Sequence, residues 1–350
     1  MTKNIYLNAV NGVKPRLLLD KKINENPQEL YKKLVLEFCR LSKCKPEEVE
    51  LGQNITSHIT FIIDCIKKID SDFKIMLSSH EIIYLKQFLE QGKMIAQEAT
   101  YPNYAKANDV NFSRMKTQIF DPIAFSKSPE KFISGKTIIV LSHVSRLTGE
   151  IFPIKQIYKK IKKTSPESIL IVDGAQFTGT DFFKIPESCD AYIGMTSKFI
   201  GAEPNISIAY ISSELRKRFI KNYPKINPQE YVRELFSAVQ ELSSPEFKKD
   251  ILHKIKQSRN FLLKELKQIK TIKIASFSNQ APQIVTISVG NISETKRIVE
   301  ELEKQGIEVS HNLDWSITEP EIPLIRIAIT VKTTKEELKE FAKVLKKIKE

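Results

Sequence analysis

Only four cysteines occur in 350 residues (Cys39, Cys44, Cys65 and Cys189), and they form neither a CxxC pair nor a set with neighbouring histidines, which argues against a zinc site and a disulfide framework alike. They read as reduced, mostly buried thiols, and no metal is expected. Long apolar runs are missing too, since none approaches the ~18 residues that a membrane span needs. The opening MTKNIYLNAVNGVKP lacks a charged leader, an apolar stretch and a small-residue cleavage site. Retention in the cytoplasm, away from membranes, is the expectation. No internal repeat or low-complexity tract occurs, and the 16 prolines are scattered. The net charge of +13, from 55 Lys and Arg against 42 Asp and Glu, is spread over lysine-rich helices with no dense basic arm. A generic solvated surface explains it, and it excludes no anionic substrate or cofactor; a nucleic-acid partner is not expected.

What is present is an ordinary globular composition, 41% hydrophobic and 28% charged, long enough for about two domains. Residues 24–45 place Leu30, Leu34, Phe38 and Leu41 at helical spacing behind an Asn and a Pro. Residues 51–70 read as a short turn feeding a second helix. FKIMLSS (73–79), KTIIVLSHV (136–144), SILIVDGAQ (168–176), CDAYIGMTS (189–197) and NISIAYIS (205–212) are apolar runs without polar alternation, as strands covered on both faces require. Helices are predicted for SHEIIYLKQFLEQGK and PIKQIYKKIKKT between them. This is an α/β pattern with a mostly parallel central sheet. From about residue 228 a long helical stretch leads to QIVTISVG (283–290), a helix over 293–305, IEVSHN, the strand LIRIAIT and a last helix from 334, the makings of a smaller α+β unit.

The chemistry concentrates in residues 139–212. Ligand groups in open α/β sheets gather beyond the carboxyl ends of the strands, so His143, Asp173, Gln176 and Lys198, each at or near such an end, can converge on one crevice. V-S-x-x-T-G, V-D-G-A-Q, C-D-x-Y and S-K-x-x-G, in this order and with the YLN opening and the terminal L-I-R-I-A strand, resemble the aminotransferase class V and cysteine desulfurase superfamily of pyridoxal-5'-phosphate (PLP) enzymes. The resemblance implies fold type I, with an N-terminal segment (1–20) packing on the small domain, a large cofactor-binding domain (21–235), a small C-terminal domain (236–350) and a homodimer.

It also implies roles. Lys198 would carry the cofactor as a Schiff base, a role that suits a desolvated lysine beside another cation, where the pKa falls. Asp173, ending the most apolar strand, would pair with the protonated pyridine nitrogen, offsetting its own desolvation; a turn-capping aspartate is the plain alternative. Gln176 resembles the glutamine that meets the cofactor's phenolic oxygen. Asn54, Ile55, Thr56 and Ser57, at a helix start, would cradle the phosphate, or serve only as an N-cap. Thr148 and Ser197 complete the expected cofactor set, with Gly201–Asn205 reaching the neighbouring subunit's phosphate. His80, or Ile82, is expected to stack on the ring. Arg326 resembles the arginine that grips a substrate carboxylate through a bidentate fork, with Arg146 or Arg233 as substitutes. Two departures stand out: Ser197 and Arg146 occupy positions where the family has His and Asn. His143, His253 and His311 lack metal spacing and read as structural.

No cysteine follows Cys189, where desulfurases carry their sulfur-attacking thiol. An amino-acid aminotransferase is therefore the leading expectation, with a PLP-dependent lyase (β- or γ-elimination), a racemase or epimerase, or a degenerate non-catalytic partner protein as alternatives.

Overall fold

The computed structural model describes residues 5–7, 26–52, 54–81, 83–91, 115–178, 185–195, 198, 207–221, 232–275, 279–313, 322–330 and 332–350. In chain order the strands are β1 (Ile5–Tyr6), β2 (Val49–Gly52), β3 (Lys74–Ser78), β4 (Thr117–Phe120), β5 (Thr137–Ser142), β6 (Ile169–Asp173), β7 (Ala191–Met195), β8 (Ser207–Ile211), β9 (Lys273–Ile274), β10 (Ile284–Ser288), β11 (Ile307–Glu308), β12 (Ser310–His311) and β13 (Ile325–Ala328). The helices are α1 (Pro27–Ser42), α2 (Ile55–Ile69), α3 (Ile83–Gln91), α4 (Pro122–Lys127), α5 (Ile154–Thr164), α6 (Ser213–Phe219), α7 (Val232–Leu242), α8 (Pro245–Leu266), α9 (Ile292–Lys304) and α10 (Lys335–Lys349).

The five apolar runs become β3, β5, β6, β7 and β8 of a seven-stranded sheet that β2 and β4 complete, in the order β2-β8-β7-β6-β5-β3-β4, parallel except where β8 runs against both its neighbours. Successive side chains of a strand point to opposite faces. In β5, Ile138 and Val140 join one core with α2, while Ile139 and Leu141 join another with α1, α5 and α7; β6 divides in the same way. Both faces are therefore covered, which is why these strands lack polar alternation. On α2, Ile55, Ile59, Ile62, Ile63 and Ile66 are buried against the first face, and each contributes roughly 1.5–3 kcal/mol by leaving water. Asn54 caps that helix by accepting from the Ser57 backbone N–H at 2.8 Å.

A second, antiparallel sheet has the order β12-β13-β10-β9 and is packed with α8, α9 and α10, while β1 pairs in parallel with β11. This mixed α/β architecture with a mostly parallel central sheet is the fold type I arrangement expected above. Two details differ from the sequence reading. The stretch before α2 is strand β2 and not only a turn: Glu50, which breaks its apolar pattern, faces Arg216 at 2.8 Å. The long helical stretch divides at Ser243 and Ser244, and Pro245 starts α8 as an N1 proline can. No helix of the described residues is long and apolar enough to cross a membrane.

Candidate active site

Sheet direction decides which residues meet. Ser142 is paired with Asp173, Met195 with Ser207, and Ser207 with Gly52, so the carboxyl ends of β2, β5, β6 and β7 lie along one edge. The start of α2 follows Gly52 directly and therefore opens onto that edge, presenting Asn54, Ile55, Thr56 and Ser57 with the helix dipole's positive end. Behind it, buried His58 shares a 2.6 Å hydrogen bond with Ser207, and burial pushes its pKa down to about 3, keeping it neutral. A side chain at Gly52 would collide with that ring at 2.3 Å.

At the centre of the edge, Asp173 ends β6. Its Oδ1 accepts from the Ala175 N–H at 2.7 Å and its carbonyl from the His143 N–H at 2.8 Å. Burial pushes the carboxyl upward, opposed by the Ala175 amide, Lys198 and Arg146. Lys198 is buried, with 6% of its surface exposed. Desolvation first, then the positive charges of Arg146 and Arg326, lower its pKa to about 7, against the pull of Asp173. A lysine in this state exchanges a proton near neutrality and has a substantial neutral, nucleophilic fraction.

The loop after β5 supplies the rest. Ser145 Oγ accepts from the Leu147 and Thr148 amides at 3.2 and 3.0 Å and shares a 2.9 Å hydrogen bond with His80 Nδ1. His80 thus stands at the carboxyl end of β3 beside this loop, held neutral by burial at a pKa of about 4. Thr148 Oγ1 accepts from the Glu150 N–H at 3.2 Å. The small sheet clasps the loop from the other side: Thr286 Oγ1 donates to the Leu147 carbonyl at 3.0 Å, and Arg326 Nη1 to the Arg146 carbonyl at 3.2 Å. Gln283 Nε2 donates to the Gln176 carbonyl at 2.7 Å, holding the turn after β6. Arg326, 1% exposed, is among the most deeply enclosed large side chains of the protein.

Gly149 lets this loop close. Its φ of 73° is left-handed, and a Cβ there would lie 2.9 Å from Ile284. Gly149→Ala is expected to cost about 1–3 kcal/mol in denaturant melts, from backbone strain and the displaced Ile284; an unchanged midpoint would show that the loop relaxes freely.

Lys198, Asp173, Arg146 and Arg326 thus form one enclosed charge cluster, with Gln176, Thr148 and His80 on the loops around it. Arg233 is exposed on α7, and His253, also exposed, bonds Gln257 at 2.7 Å. His143 is stacked on Phe177 at 3.8 Å and bonded to Tyr192 Oη at 3.1 Å, as a structural histidine would be. Ser197, Ile82 and Gly201–Asn205 lie outside the described residues. The sequence reading missed Glu81. It is buried beside Asp173, accepts from Ser142 Oγ at 2.6 Å, and is pushed up to about 8 by desolvation and by Asp173, so at neutral pH it is largely protonated. A carboxylate within the apolar segment HEII, with no cation near it in the chain, was the available signal.

A family model, Aminotransferase class-V, matches residues 96–226, the segment that supplies Arg146, Thr148, Asp173, Gln176 and Lys198. Over 121 residues the chain is 31% identical to PbSufS of Plasmodium berghei (strain Anka), named as a cysteine desulfurase; the match spans 35% of this chain and 22% of that protein. The cystine C-S lyase C-DES, solved with its product cysteine persulfide, superposes with a TM-score of 0.71 at 17% identity, covering 98% of this chain and 97% of that one. The cysteine desulfurase CsdA of Escherichia coli does so with a TM-score of 0.73 at 11% identity, over 99% and 94% of the two chains. At those identities the likeness is one of fold, and it extends over nearly the whole length. The class V segment coincides with the loops that build the charge cluster, and the fold over nearly the whole length is that of the solved cysteine desulfurase and C-S lyase, fold type I.

Proposed function

We propose that this protein is a PLP-dependent enzyme acting at the α-carbon of an amino acid, and that its reaction is an elimination of the C–S lyase kind rather than a transamination. The observation that carries the first part is the enclosure of Lys198, its pKa lowered to about 7, with Asp173 at the carboxyl edge of the parallel sheet. The donor set suits the cofactor. Thr56, Ser57 and the α2 start would hold the phosphate, Asp173 the ring nitrogen, Gln176 and Thr148 the ring substituents, with His80 against its face, and Lys198 would bind it covalently. When bound, PLP supplies the electron-withdrawing ring that makes bonds at the α-carbon of an attached amine breakable.

The remaining steps belong to the protein. Arg326, with Arg146 beside it, would hold the substrate carboxylate and so turn the α-hydrogen toward Lys198. Lys198 would take that proton in its neutral form. The β-carbon–sulfur bond would then break, the electron pair leaving on sulfur. Because no cysteine follows Cys189, no thiol of the later chain is present to attack the substrate's sulfur. Sulfur would leave by elimination, which agrees with the lyase named among the solved relatives. These relatives weigh against the aminotransferase expectation.

The test supplies PLP to the purified protein and offers cystine and other amino acids bearing a β-leaving group. Release of 2-oxo acid and ammonia without an added 2-oxo-acid acceptor is expected; turnover only with such an acceptor would restore the aminotransferase. On the substrate so found, Arg326→Leu should lower kcat/KM by about 10- to 150-fold, since a charge-assisted contact is worth roughly 1.5–3 kcal/mol. Lysine there should rescue only part of the loss, lacking the planar fork. Parental kinetics in both variants would place carboxylate recognition elsewhere.

A further inference from the structure

Away from the active site, two of the four cysteines meet. Cys39 lies in the last turn of α1, and Lys43, just past the helix, has a left-handed φ of 58°. A left-handed residue at this point turns the chain back over the final helical turn, so that the side chain following it packs against the one four residues before it. The two side chains brought together here are Cys44 and Cys39, with sulfurs 3.5 Å apart and Cys44 as hydrogen-bond donor. Cys39 is buried in the core beneath α1, whereas Cys44 is partly exposed. The pair precedes β2, whose other end, Gly52, opens onto the active-site edge; the thiols are at the far side of the sheet.

We propose that Cys39 and Cys44 form a thiol–disulfide exchange site that reacts with low-molecular-weight disulfides and closes to an intramolecular disulfide. Cys44, the more exposed of the two, whose thiol the hydrogen bond to Cys39 and partial burial hold protonated, attacks the small disulfide once it gives up its proton, forming a mixed disulfide and releasing one small thiol. The Cys39 thiolate then attacks Cys44 Sγ, expelling the second small thiol. Two protein thiols are oxidised, one small disulfide is reduced to two thiols, and the two protons leave with them, so no other oxidant is needed. Cys39 Sγ, already in contact with Cys44 Sγ, is placed for the second step. The sulfurs must approach by about 1.5 Å to reach bonding distance, a movement open to side chains at a helix end. Closing so short a loop has little effect on unfolded-chain entropy, so the consequence is chemical reactivity rather than a large gain in stability.

The experiment incubates the full-length protein with glutathione disulfide at neutral pH, quenches it by alkylation and maps the peptides by mass. In the parent, loss of two hydrogens is expected on the peptides of Cys39 and Cys44, reversed by dithiothreitol, with Cys189 alkylated only after unfolding. Cys39→Ser should instead accumulate a glutathione adduct on Cys44, because no second thiol resolves it. Cys44→Ser should leave Cys39 unmodified in the folded protein. A stable glutathione adduct on Cys44 in the parent, or full alkylation of both cysteines after incubation, would overturn the proposal.

Discussion

Lys198→Ala is expected to remove covalent cofactor attachment and to lower turnover by about 10³-fold or more, because no other side chain replaces both the imine-forming amine and the α-proton acceptor. The fold should persist by circular dichroism, since desolvation and the charges of Arg146 and Arg326 oppose the charged form of Lys198 more than Asp173 favours it. The parent also has a pH signature. With the lysine lowered from 10.5 to about 7, its neutral form dominates above that value. The rate at which the protein captures PLP should therefore rise through pH 7 and level off above it, instead of climbing steadily toward the range of an ordinary lysine. A capture rate still rising at pH 9 (well above the expected midpoint of about 7) would mean that the cluster does not activate Lys198.

Asp173→Asn is expected to have the second-largest effect. The amide can still accept from the Ala175 N–H, so the turn after β6 should survive. What disappears is the negative charge facing the position assigned to the ring nitrogen. A pair of unit charges ~4 Å apart at an effective dielectric of ~20 interacts by about 4 kcal/mol, which corresponds to about 10³-fold in rate if the charge acts mainly at the transition state. Cofactor retained with turnover reduced on that scale is the expected result, checked by absorbance and steady-state kinetics. Unchanged turnover would leave Asp173 as a turn cap. Glu81 does not replace it: desolvation and Asp173 push its pKa up to about 8, so it is mostly neutral at neutral pH.

How much of this was legible beforehand follows from burial. The strands ending in Ser142, Asp173 and Met195 are covered on both faces, so their sequences are continuously apolar and announce both strand and strand end. The polar residue closing such a run is conspicuous, which is why Asp173 could be picked out from sequence. At the sheet margins the signal fades. β4 has only Phe120 fully buried among its four residues, and β2 contains Glu50 because Arg216 lies opposite. Neither carries a strand-like apolar run. Pairings between distant segments were invisible for a different reason. Glu81 and Asp173 are 92 residues apart in the chain and Arg146 and Arg326 are 180 apart, and only the parallel crossovers and the clasp of the small sheet bring them together. Arg146 had stood out as a departure from a family pattern and as a substitute for Arg326; the fold makes it one of two guanidiniums acting on Lys198.

The central claim is that Lys198, among all the lysines, is the one that binds the cofactor. The measurement is direct: saturate the protein with PLP, reduce the lysine–cofactor linkage with borohydride, digest, and locate the phosphopyridoxyl group by peptide mass. The account predicts stoichiometric label on the peptide containing Lys198, and none there in Lys198→Ala. Label on another lysine, or a parent protein that retains no label, would contradict it.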